Sequence, residues 1–144
     1  MNSAHFAHRL ASANTTIEVR VVWHPNPFRV RHALDPHGRP LLLCRAGGAL
    51  DNALTSNDAV VLNVCRGRDQ LWIAGWAAPS SGTSAVAAAL EFAATRPLGD
   101  LLDVGHGFGI YRVDVAEIRL RRGDGPMEEV DVDDYAAASS EPVM

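Results

Sequence analysis

The chain has 144 residues, a formal net charge of −4 and an apolar fraction of 47%. This length predicts one domain, spanning residues 1–144, that is long enough to bury a sizeable core. The negative charge gives no reason to expect a nucleic-acid partner. The apolar runs are far shorter than the roughly 20 residues of a membrane helix. Cys44 and Cys65 lack a C-x-x-C partner, which favours reduced thiols, and we expect a cytoplasmic protein.

Seven segments predict β-strands, because β-branched and apolar residues recur in them, mostly with a two-residue period. These strands are residues 15–23, 28–34, 39–45, 59–65, 70–77, 110–121 and 127–130. Helices are predicted at residues 47–56 and 85–95, with a last helical turn at 131–135. Residues 5–13 fit either a short helix or a frayed end, and we expect loose termini at 1–14 and 137–144. This order predicts a mainly β fold with short helices (α+β), in a closed or nearly closed antiparallel barrel.

Two strands carry more apolar surface than a half-exposed strand needs. Residues 41–44 are apolar on both faces, which predicts a strand covered on both sides. Trp72 and Trp76 share one face of their strand, because residues four apart in a strand point the same way. Such aromatics more often pack in a core or a dimer interface than against a cofactor. We expect residues 41–44 and the tryptophan strand to build the interface of a homodimer.

Four segments carry a resemblance to a known superfamily. Residues 34–43 resemble the first hairpin of the pyridoxamine 5'-phosphate oxidase-like, FMN-binding split β-barrel proteins. Residues 71–76, 96–107 and 130–138 resemble a haem-utilisation-related branch of that superfamily found in actinobacteria. The resemblance covers about residues 28–142. It implies an antiparallel split β-barrel, a cofactor of flavin or haem type, oxidoreductase activity and homodimers whose cofactor sites form at the subunit boundary.

The chain departs from this family pattern where flavin-binding members hold the phosphate. Their serine-arginine-lysine cluster falls here on residues 48–50, which are Gly, Ala and Leu, and their early-strand lysine falls near residues 33–34. The cations that remain are on the early strands, and the glycine-rich helix entrance offers backbone amides that can cradle an anion. The predicted cofactor-binding residues are therefore Arg31, Arg45, Gly47 and Gly48.

The remaining candidates carry weaker signals. His106 lies in a glycine-rich segment that fits a loop better than a metal or haem ligand and fails as a dinucleotide fingerprint. The histidines match no strong zinc pattern, so we expect no metal, and no catalytic residue is indicated. FMN is the first cofactor that the resemblance implies and haem the second. The missing basic cluster leaves a non-catalytic dimeric split barrel, with a binding or regulatory role and no flavin site, as the alternative. The sequence does not decide whether the protein is an enzyme.

Overall fold

A computed structural model describes residues 2–13 and 16–139. The strands are β1 (Thr16–Val21), β2 (Phe28–Leu34), β3 (Pro40–Arg45), β4 (Ala59–Arg66), β5 (Asp69–Pro79), β6 (Phe108–Arg121) and β7 (Glu128–Val130). The helices are α1 (Ser3–Ala13), α2 (Ala49–Ser56), α3 (Gly82–Thr95) and α4 (Val132–Ser139). A short 3-10 turn, Gly99–Asp103, connects α3 to β6.

The strands close into a barrel. Their order in the sheet is β3-β2-β1-β4-β5-β6-β7, and β3 also pairs with β6. Within the described residues, β1 to β6 therefore form a closed ring of antiparallel pairs, which β7 extends outside the ring. The predicted fold, a mainly β antiparallel split barrel with short helices, is confirmed. No helix of the described residues is both long and apolar enough to cross a membrane.

Alternating side chains fill the barrel interior. In β1, for example, Ile17, Val19 and Val21 are buried while their neighbours face outward. Leucines and isoleucines of β3 to β6 complete the interior, and they include Leu42, Leu62, Leu71, Ile73, Ile118 and Leu120. Because these side chains occupy the interior, the barrel is a packed core and ligand sites must be sought outside it.

The two ends of the described chain pack against each other and onto this core. Helix α1 buries Ala4, Ala7, Leu10 and Ala11, and α4 buries Tyr135. The Tyr135 hydroxyl donates a hydrogen bond to the carbonyl oxygen of Gly38, 2.9 Å away. The expectation of a loose end at residues 1–14 is therefore wrong over Ser3–Ala13, and the one at 137–144 is wrong for residues 137–139. The rest of both segments lies outside the described residues, apart from residue 2.

Helix α3 covers one outer side of the barrel. Its Ala88 and Phe92 form a second apolar cluster with outward residues of β2, β3 and β6, namely Ala33, Leu41, Leu43 and Ile110. Leu42 and Cys44 of the same strand point into the barrel core instead. The prediction that residues 41–44 are covered on both faces is confirmed. Their expected part in an open dimer interface is wrong, because α3 already occupies that face.

A β-bulge lies between β5 and β6, and on either side of it the inward and outward residues of the two strands remain paired face to face. The register shifts between Ala74 and Gly75, so that Ala74 faces Glu117 and Gly75 faces Val115. A Cβ atom at Gly75 would lie 2.1 Å from the carbonyl oxygen of Asp114, which explains why glycine is needed there. Trp72 and Trp76 share the outer face of β5, as predicted, while Leu71, Ile73 and Ala77 point inward.

Candidate functional site

The barrel opens where β2 and β3 separate. These strands pair from Leu34–Pro40 to Arg31–Leu43. Past that point, β2 continues beside β1, and β3 continues beside β6. A cavity of about 440 Å³ lies at this fork, lined by residues of both strands, the start of α2 and the 3-10 turn. We call it the split cavity.

The split cavity brings together most of the predicted cofactor-binding residues. Arg31, Arg45 and Gly48 line it, whereas Gly47 is not among its lining residues. Arg29 also lines it and was missed in the sequence. Strand alternation could have identified Arg29, because Arg29 and Arg31 are two residues apart in one strand and so face the same side.

Positive charge dominates the lining of the split cavity. The guanidinium carbons of Arg31 and Arg45 each lie 5.8 Å from the ring centroid of Phe108, which is within cation–π range. Arg31 Nη2 also lies 2.8 Å from Asp100 Oδ2. Asp100 is the one carboxylate among the described lining residues, and neither Arg29 nor Arg45 has a described carboxylate within ion-pair distance. The three arginines less one carboxylate leave two net positive charges, which suits an oxyanion.

The start of α2 contributes to this cavity differently from the prediction. The Gly47 N–H donates to Asp51 Oδ2 over 2.8 Å, and the Gly48 N–H donates to the Arg45 carbonyl oxygen over 3.0 Å. The predicted role of these two amides as an anion cradle is therefore corrected, because both are already used. The next N–H groups, of Ala49 and Leu50, belong to residues that line the cavity. Helix geometry leaves such first-turn N–H groups without an intrahelical acceptor.

The thiol in the wall of the cavity is held in its neutral form. Burial, and to a smaller extent the charge of Asp51, raise the pKa of Cys44 to about 11. Behind it, the Tyr111 hydroxyl donates a hydrogen bond to Asp51 Oδ1. Burial and this bond raise the pKa of Tyr111 to about 12. Since the thiolate is the reactive form of cysteine, Cys44 fits a packing role better than that of a nucleophile or metal ligand.

The residues of the cavity fit a phosphate better than a haem iron. Haem iron is held by His, Cys, Met or Tyr side chains. Cys44 is the one such side chain among the described lining residues, and its raised pKa disfavours the thiolate. His106 is exposed outside the lining, where its backbone N–H donates to the Asp103 carbonyl oxygen. No group of three His, Cys, Asp or Glu residues that could hold a metal occurs in the described part of the chain.

The closed antiparallel barrel with its opening between β2 and β3 defines a split β-barrel fold. A heme binding protein from Mycobacterium smegmatis superposes with a TM-score of 0.75 over 95% of this chain, at 19% identity. The chain spans 61% of that protein's length. A Clostridium acetobutylicum protein related to general stress protein 26, of the pyridoxinephosphate oxidase family, gives a TM-score of 0.68 at 12% identity. It is matched over 92% of this chain and 96% of its own.

General stress protein 26 from Bacillus anthracis is similar as well, with a TM-score of 0.67 and 12% identity over 90% of this chain and 100% of its own. No family model matches the sequence, and no curated protein matches it. At identities this low, the superpositions establish that the fold is shared and nothing beyond it. They confirm, for the fold, the resemblance to split-barrel proteins noted in the sequence.

Proposed function

We propose that the protein binds a phosphate-bearing flavin, of the FMN type, in the split cavity. The observation that carries this proposal is the convergence of Arg29, Arg31 and Arg45 on one cavity whose described lining residues include a single carboxylate. Arginine binds phosphate oxygens through charge-assisted hydrogen bonds, which are stronger than neutral ones. Phe28 and Phe108 supply apolar wall beside these cations. The resemblance of residues 34–43 to FMN-binding split barrels, together with the fold shared with a pyridoxinephosphate oxidase-family protein, supports a flavin as the ligand.

The residues of the chain have distinct roles in this proposal. Arg29 and Arg45 are the main phosphate-binding cations, because both are exposed and neither has a described carboxylate partner. Arg31 interacts with both the ligand and Asp100. The amides of Ala49 and Leu50 add donors at the start of α2. A bound flavin would supply hydride-transfer chemistry. The residues of this chain bind and orient the ligand, and an oxidoreductase activity would follow from that binding.

A second candidate function is a non-catalytic split barrel that binds or regulates without a flavin. The observation that favours it is that the protein already satisfies part of the site internally. Asp100 neutralises Arg31, and the Gly47 and Gly48 amides have acceptors within the chain. A haem-binding function has the fold of the M. smegmatis protein in its favour and lacks a suitable axial ligand among the described lining residues.

Titration of FMN into the purified protein tests the proposal, with flavin fluorescence as the readout. We expect Arg45→Ala to weaken binding by about 10- to 150-fold, because charge-assisted hydrogen bonds contribute about 1.5–3 kcal/mol. Arg68→Ala is the matched control, since Arg68 pairs with Asp124 away from the split cavity and should leave the affinity unchanged. Equal affinity of wild type and Arg45→Ala would reject the site. A protein that binds no FMN would favour the non-catalytic function, and a Soret band would favour haem.

We also propose that the protein is a homodimer, formed through the outer face of β1, β4, β5 and β6. Strand register places the outward residues of this face in rows. One row reads Arg20, Val61, Ala74 and Glu117. The next reads Glu18, Asn63, Trp72 and Arg119. Trp76, which is 54% exposed, and Val22, which is 42% exposed, extend the apolar part of the face, so we call it the tryptophan face.

The tryptophan face is complementary to itself in charge. Each row has apolar or neutral residues in the middle and opposite charges at its ends, and the order of the charges reverses from one row to the next. A two-fold axis parallel to the strands, between β4 and β5, sets Arg20 against Glu117 of the partner subunit. The same axis sets Glu18 against Arg119 of the partner subunit and Val61 against Ala74. Two-fold interfaces require such self-complementary surfaces.

A further inference from the structure

Asp100 provides an anion from within the protein at the split cavity. Its Oδ2 lies 2.8 Å from Arg31 Nη2, and the two residues are 69 positions apart in the chain. The Asp100 side chain is 41% exposed and that of Arg31 is 38% exposed. The pair is therefore open to solvent on one side, and an entering ligand can reach both groups.

The segment that carries Asp100 is fixed to the barrel. Leu98, Leu101 and Val104 pack against the apolar cluster beneath α3. The Leu101 N–H donates to the Leu98 carbonyl oxygen over 3.1 Å. These contacts hold the 3-10 turn at the mouth of the cavity, so the carboxylate of Asp100 occupies a defined position beside Arg31.

We infer that Asp100 sets the charge selectivity of the split cavity by competing with a bound oxyanion for Arg31. This inference rests on the proposed function, because it concerns the same cavity. A phosphate that binds Arg31 must displace Asp100 from the guanidinium or accept its repulsion. Coulomb repulsion grows with the charge of the ligand, so Asp100 penalises a phosphate dianion most and an uncharged ligand least. Its role is to set specificity, through Arg31.

Paired titrations with FMN and riboflavin separate this role from a structural one, because riboflavin lacks the phosphate. We expect Asp100→Asn to tighten FMN binding by about fivefold, the size expected of a half-exposed ion pair. The affinity for riboflavin should not change. Asp103→Asn is the matched control, because it removes the same charge from the same turn at an exposed position outside the cavity lining. Circular dichroism confirms that each variant is folded.

Titration with inorganic phosphate, measured by isothermal calorimetry, distinguishes failure of this inference from failure of the proposed function. If FMN binds wild type and Asp100→Asn equally, Asp100 has no selective role and the flavin site stands. If FMN binds no variant but phosphate binds Asp100→Asn more tightly than wild type, the oxyanion role stands and the flavin proposal falls. If Asp103→Asn tightens FMN binding as much as Asp100→Asn, general charge explains the effect and the inference is overturned. If neither ligand binds any variant, both proposals are rejected.

Discussion

Exchanging the charges at the ends of one row of the tryptophan face tests the proposed homodimer. We expect Arg20→Glu to weaken the dimer, because the proposed two-fold axis would then set the new carboxylate against Glu117 of the partner subunit. The second substitution, Glu117→Arg, should restore dimerisation in the double variant, because the attraction is re-formed with its sign exchanged. Simple loss of folding would not be rescued in this way.

The size of the effect follows from the symmetry of the contact. Each substitution appears twice in a two-fold interface, so Arg20→Glu removes two attractive contacts and introduces two repulsive ones. The Arg20 and Glu117 side chains are 59% and 41% exposed in the monomer, where they also pair with Glu18 and Arg119 of their own chain. Exposed ion pairs contribute about 0.2–1 kcal/mol each, so four such changes amount to about 1–4 kcal/mol. This free energy raises the Kd of the dimer by between about fivefold and several-hundredfold.

Sedimentation equilibrium measures the Kd of wild type, Arg20→Glu, the double variant and a control. Arg68→Glu is the control, because it reverses one arginine in the exposed Arg68–Asp124 pair, which lies outside the tryptophan face. Trp76→Glu should also weaken the dimer, by placing an unpaired charge in an apolar interface. A mass of 15.5 kDa for wild type at micromolar concentration would refute the dimer. A double variant no tighter than Arg20→Glu would refute the proposed axis.

Three further predictions follow from single positions. Ala49→Arg, at an exposed position in the cavity lining, should tighten FMN binding several-fold in the same titration, and weaker binding would show that the cavity has no room for the side chain. Gly75→Ala should lower the free energy of unfolding by about 1–3 kcal/mol, because the new Cβ meets the Asp114 carbonyl oxygen at 2.1 Å; an unchanged thermal midpoint would contradict the bulge. At mildly alkaline pH, Ellman's reagent should label exposed Cys65 rapidly and Cys44 only after unfolding, because burial and Asp51 raise the pKa of Cys44 to about 11. Two rapidly labelled thiols in the folded protein would contradict that burial.

Local patterns in the sequence predict most of the strands, because alternation reports directly which residues face the core. The alternating apolar residues of β1 and the shared face of Trp72 and Trp76 are of this kind. Helix α1 was harder to predict, since its buried face is built mainly from alanines, which give a weak apolar signal. Barrel closure through β3 and β6 pairs Leu41 with Arg112 and was even less visible, because no local pattern encodes a contact of that range.

The candidate site shows the same division between local and long-range information. Arg31 and Arg45 could be predicted from their strands, and Arg29 could have been found from its alternation with Arg31. The hydrogen bond of the Gly47 amide could not be predicted, because it depends on where the Asp51 side chain points. Asp100 was missed because its role depends on a contact with a residue far away in the sequence. The sequence therefore predicts the cations of the site better than the groups that compete for them.

The flavin site and the homodimer interface that we propose use different parts of the outer surface of the barrel, so one barrel can support both. The interior is filled by packed aliphatic side chains, so ligands and partners must use the outside. Helix α3 covers the part of the outer face of β2, β3 and β6 that carries Ala33, Leu41 and Leu43. Beyond this covered part, β2 and β3 separate, and the outward-facing arginines remain accessible and line the split cavity. The tryptophan face lies on other strands of the same barrel, and β1 borders both surfaces. Glu18 of the tryptophan face pairs in register with Arg29 of the split cavity, so we expect dimerisation to place the partner subunit beside the ligand.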